Sequence, residues 1–66
     1  MTSLKVTGMT CGHCEAAVRK ALEAVPGVTA VIRVDRNDQV AEVEGTADVA
    51  ALVAAVVEEG YTAEAA

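Results

Sequence analysis

The chain contains no tryptophan and no phenylalanine, and Tyr61 is its only aromatic residue. That excludes a stacking platform for bases, which needs several exposed rings. Basic residues are scarce: five Lys and Arg stand against ten Asp and Glu, for a formal net charge of −5. A chain this acidic does not track a phosphate backbone unaided, so no nucleic-acid partner is expected. No apolar run approaches the roughly 18–20 residues of a membrane span. The first ten residues, MTSLKVTGMT, have no apolar core of signal-peptide type, so a cytoplasmic location is expected. There is one proline, one histidine and a single pair of cysteines. No Ser–His arrangement, carboxylate pair or phosphate-cradling glycine loop appears, so the sequence reads as a non-enzyme.

What is present is a small, aliphatic chain. Its 66 residues are 53% hydrophobic, mostly Ala and Val. One domain over residues 1–66 is expected. A domain this short buries only about 60% of its unfolded surface, and its two cysteines, three positions apart, would close too short a loop to act as a staple. Cys11 and Cys14 are therefore expected to carry function.

Hydrophobic period defines the elements. Residues 3–7 alternate, with Leu4 and Val6 on one face, and read as a strand ended by Gly8. From Gly12 the period changes. Cys14, Ala17, Val18, Ala21, Leu22 and Val25 form one helical stripe, with Glu15, Arg19, Lys20 and Glu23 off it. Pro26-Gly27 stops that helix. Val28, Ala30, Ile32 and Val34 alternate as a second strand. Arg36-Asn37-Asp38 is a polar turn, and Val40–Val43 completes a hairpin. The alternation leaves the faces of Val31 and Val40 open, and a bulge would resolve them. Gly45 closes the third strand. Asp48 is placed as an N-cap, Val49, Leu52, Val53 and Val56 mark a second helix, and Gly60 sits at its C′ position. Residues 61–64 form a short last strand. The order β-α-β-β-α-β predicts an α+β, ferredoxin-like sandwich: a four-stranded antiparallel sheet with both helices on one face.

This order places Cys11 in the loop after the first strand and Cys14 in the first turn of the first helix. The free N–H groups of a helix start carry partial positive charge and lower the pKa of a thiol placed there. Gly12 is expected to give the intervening backbone its freedom. The four residues CGHC serve two chemistries, disulfide exchange and metal binding. Two thiolates select soft ions, Cu(I) first. Cu(I) accepts two ligands, whereas structural zinc takes four, and Cys11, Cys14 and His13 supply three at most. A Cu(I) held by two thiolates carries charge −1, which a helix N-terminus stabilises.

The stretch GMTCGHCEAAV, with VPGV at 25–28 and EEGY near the end, resembles the heavy-metal-associated domain family, in particular its bacterial copper chaperones. The resemblance extends over nearly the whole chain. It implies that Cys11 and Cys14 bind Cu(I), that Met9 packs beneath the loop without ligating, and that Tyr61 faces the site. It implies a copper-transporting P-type ATPase domain, or a copper-responsive regulator, as the partner. Zinc-preferring members commonly carry Asp where Thr10 stands, so Thr10 points to copper, and the family's exported mercury carriers have a leader that is not seen here. The residue ahead of the first Cys and the absence of a proline facing the pair set the chain apart from thioredoxin-like oxidoreductases. The valines of 28–43 run about one residue out of phase with the family's usual pattern. For His13 the sequence leaves a solvated side chain or a tuning group. For Tyr61 it leaves a cap on the core, or a shield and O–H donor toward a Cys sulfur. Arg19 and Lys20 are read as solvated, or as docking groups for an acidic partner. The expected state is a monomer when metal-free, and nothing forbids two copies sharing a copper through four thiolates. Carriers of Zn, Cd or Hg are the alternatives, with a thiol–disulfide oxidoreductase behind them.

Overall fold

The computed structural model describes residues 1–66. Its elements are β1 (Thr2–Thr7), α1 (Gly12–Glu23), β2 (Val28–Asp35), β3 (Val40–Gly45), α2 (Val49–Glu58) and β4 (Thr62–Ala65). The strands form one antiparallel sheet in the order β2-β3-β1-β4. Each strand–helix–strand unit thus leaves a slot that a strand of the other unit fills, which is the predicted ferredoxin-like fold.

The two central strands present their inward positions to both helices. Leu4 and Val6 of β1 and Ala41 and Val43 of β3 meet Val18 and Leu22 of α1 and Leu52 and Val56 of α2 in one buried cluster, completed by Val25. Val40 is thereby on the open face, opposite Lys5. Pairs of inward residues four apart on each helix are what a 3.6-residue period delivers to one face.

Strand β2 departs from the predicted alternation. Ala30 is exposed and Ile32 is 47% exposed, whereas Val28, Val31 and Val34 pack against the core. The reason is two register shifts, between Val28 and Ala30 and between Val31 and Arg33. Each inserts one residue on β2, Thr29 and then Ile32, and an inserted residue turns the downstream part of the strand to the other face. Two insertions convert a period of two into the spacing 28, 31, 34. The open question of Val31 is settled the same way: it faces inward.

Glycine is required where β3 ends. A Cβ on Gly45 would stand 2.0 Å from the Gly27 carbonyl oxygen, and that oxygen accepts the Thr46 N–H at 2.8 Å. Asp48 does stand at the N-cap of α2, but its side chain makes no capping bond. Val49, the first member of the expected α2 stripe, is 38% exposed because it lies in the opening turn, beyond the edge of the core. Gly60 follows the C-cap Glu59 as expected.

Candidate metal site

Strand β1, the β2–β3 turn and the segment after α2 all end on the same side of the sheet as the start of α1. That juxtaposition builds the site. The chain leaves β1 through Gly8 at φ 97°, a left-handed backbone conformation favourable to glycine. A Cβ there would also stand 3.5 Å from Tyr61 Cδ1. Gly12, in contrast, is the first residue of α1 and has no positive φ. The conformational freedom expected at Gly12 is exercised at Gly8, because the sharp turn comes on leaving the strand and not between the cysteines.

Met9 is half-buried and packs against the core cluster. Thr10 is exposed. Cys11 occupies the N-cap of α1 with extended backbone, φ −158° and ψ 177°, and its side chain caps nothing. Its carbonyl accepts the N–H groups of Cys14 at 3.0 Å and Glu15 at 3.3 Å. Freed from capping, the Cys11 sulfur is exposed, whereas Cys14 is half-buried, and both are free thiols.

The two sulfurs lie 4.0 Å apart. That is far from a disulfide bond of about 2.05 Å. It is shorter than the roughly 4.6 Å that two zinc–thiolate bonds of about 2.3 Å would span in line. His13 is exposed, and nowhere do three or more His, Cys, Asp or Glu side chains converge as a ligand set. The arrangement offers two thiols and no third Cys, His, Asp or Glu beside them.

Cys14 is prepared as a thiolate. Its pKa is lowered from 9.0 to about 6, first by the Tyr61 hydroxyl, then by backbone and side-chain donation from Thr10 and by the Cys11 backbone. Thr10 Oγ1 is within hydrogen-bond reach of Cys14 Sγ, at 3.6 Å. Reciprocally, the thiolate and then burial push the Tyr61 phenol above its usual value. The Tyr61 ring packs against the core cluster and its hydroxyl lies toward Cys14.

Two residues that sequence reasoning left as solvent-facing belong to this neighbourhood. Glu15 accepts the Arg36 backbone N–H at 2.8 Å and Arg36 Nη1 at 3.0 Å. Their separation of 21 positions hides the pair in the sequence. Arg19, read as solvated or as a docking group, is exposed, and its Nη1 donates to the Val31 carbonyl at 3.1 Å beside the second bulge.

The family model of the heavy-metal-associated domain matches residues 3–62. The chain belongs to this family. Heavy-metal-associated domains bind soft metal ions. A mercuric reductase of Acidithiobacillus ferrooxidans is 50% identical over 91% of this chain, which spans only 11% of that protein. Copper-transporting ATPase 2 of Rhizobium meliloti is 48% identical over 88% of the chain, which spans 7% of it. The chain thus corresponds to about a tenth or less of these relatives. The apo copper chaperone of Enterococcus hirae superposes with a TM-score of 0.91 at 29% identity, with each chain covered in full. The heavy-metal-associated domain therefore occurs among its relatives both free-standing and as a module. No helix of the chain is long and apolar enough to cross a membrane.

Proposed function

We propose that this chain is a metallochaperone module that holds one thiophilic ion between Cys11 and Cys14 and passes it on by thiolate exchange. The observation that carries this reading is the free sulfur pair, 4.0 Å apart at an exposed helix start with no third donor. Such a set suits ions content with two soft ligands and leaves tetrahedral zinc two ligands short. The exposed Cys11 is open to an incoming thiolate. One metal–sulfur bond forms to the partner, giving a three-coordinate bridge, and one bond to this chain breaks. No electron moves, and no catalytic step is assigned to the domain.

Cu(I) is the first ion. The helix N-terminus stabilises the single negative charge that two thiolates and Cu(I) leave. A CxxC domain of a copper-transporting ATPase is the partner this implies, with a copper-responsive regulator second and the cytoplasm as the setting that keeps both thiols reduced. The same exposed sulfur would let two copies share a copper at high protein concentration. Hg(II) is a second reading, supported by 50% identity to a mercuric reductase alongside 48% to a copper-transporting ATPase. There the expectation drawn from exported mercury carriers does not apply, because the mercury relative is part of a reductase.

Competition titrations under reducing conditions test both readings. The parent protein should bind one ion. Cys11→Ser and Cys14→Ser should each weaken binding by more than the roughly 10–100-fold lost with an outer-shell partner. Binding by either variant as tight as the parent's would end the proposal. The ratio of Cu(I) to Hg(II) affinities, each against a calibrated thiol competitor, decides between the ions.

A further inference from the structure

The turn between β2 and β3 is tied to the first turn of α1 through one residue. Arg36 offers Glu15 both its backbone N–H, at 2.8 Å to Oε2, and its guanidinium, at 3.0 Å to Oε1. The same Nη1 lies 3.9 Å from where a Cβ would stand on Gly12. Gly12 follows Cys11 and Glu15 follows Cys14, so the Arg36 guanidinium binds one of these positions and lies near the other.

The turn that carries Arg36 is braced on its own account. Asp35 Oδ1 accepts the N–H groups of Asn37 at 2.8 Å and Asp38 at 3.1 Å, and Arg33 pairs with Asp38. The start of α1, by contrast, lacks local support. Its N-cap makes no side-chain capping bond and its first helical residue is glycine, a poor helix former. The missing cap is replaced by a tertiary clasp on a half-buried carboxylate.

We propose that Arg36 is a positioning residue for the Cys11–Cys14 loop. By clasping Glu15 and lying over Gly12 it keeps the first turn of α1 formed, so that Cys14 Sγ stays beside Cys11 Sγ and Thr10 Oγ1. Without the clasp the uncapped turn frays, and the pair must be ordered when the ion binds. The purpose rests on the metal-carrier reading, but the clasp itself needs no metal.

Amide hydrogen exchange on the metal-free protein tests it directly. Arg36→Ala should lower protection of the amides of residues 14–16 by about two- to fivefold, the effect of losing one ion pair this exposed. Amides of β1 and α2 should keep theirs. Glu15→Ala removes both bonds and should cost more, Arg36→Lys should cost less, and the double variant should be no worse than Glu15→Ala alone. In Arg36→Ala, the ratio of Cys14 to Cys11 alkylation at neutral pH should also shift severalfold. Unchanged first-turn exchange with an intact fold would overturn the proposal. So would an equal loss of protection in β1 and α2, which would make Arg36 a stabiliser of the whole domain. Absence of metal binding in the parent protein would sink the carrier reading instead, leaving the exchange result to stand or fall separately.

Discussion

The units β1–α1–β2 and β3–α2–β4 bury their helices alike and start them differently. Val18 and Leu22 of α1 match Leu52 and Val56 of α2, all fully buried and four apart within each pair. A glycine of positive φ follows each helix, Gly27 at 97° and Gly60 at 95°. Neither N-cap residue, Cys11 or Asp48, makes a side-chain capping bond. At α1, however, the uncapped turn is held by Glu15 and Arg36 and faces Thr10 and Tyr61. At α2 the opening turn carries no acidic residue. One scaffold is built twice, and the chemistry resides in what surrounds a single helix start.

The largest effects should fall equally on the two halves. Leu22→Ala and Leu52→Ala each empty a fully buried site and should cost about 2–5 kcal/mol in chemical denaturation. Much of a domain this small would unfold with either. A cost confined to one of them would break the equivalence of the two units.

Smaller effects should separate the halves at the helix starts. With its pKa lowered to about 6, Cys14 favours the thiolate at pH 7. Tyr61→Phe removes the first cause of that lowering and should move the pKa back toward 9.0, slowing Cys14 alkylation severalfold near neutral pH. Thr10→Val should do the same more weakly. Linkage sets the sign for stability. Between about pH 6 and the unfolded thiol value of about 9, the unfolded chain binds a proton at Cys14 that the folded chain does not. Stability from this group should therefore be complete above that range and vanish as pH falls through about 6. Denaturation midpoints of the parent and Cys14→Ser across this window check it: the difference between them should grow with pH.

The smallest effect should be at Asp48. An N-cap aspartate that caps nothing should lose less than about 0.5 kcal/mol on substitution by alanine, where a bonded cap typically costs about 1 kcal/mol. A full cap-sized loss would show that α2 starts with support that α1 lacks.

Element order, the core pairs on both helices and the cysteine pair were all legible in the sequence, because each is a local pattern: alternation for Leu4 and Val6, a 3.6 period for Val18 and Leu22, a CxxC spacing for the site. What failed was non-local. Alternation assumed one register along β2, and two inserted residues put Val31 inside and Ile32 outside. The backbone freedom expected at Gly12 is used at Gly8, since the spacing of glycines does not say which one takes positive φ. Glu15 and Arg36 looked like solvated charges, because their contact exists only once the β2–β3 turn folds against the start of α1.

X-ray absorption at the metal edge of the loaded protein bears most directly on the central claim, that Cys11 and Cys14 alone hold the ion. With one equivalent of Cu(I) or Hg(II) at low protein concentration, the account predicts two sulfur neighbours per metal and no imidazole scattering. Three or four protein ligands per ion, or a His13 nitrogen among them, would contradict it.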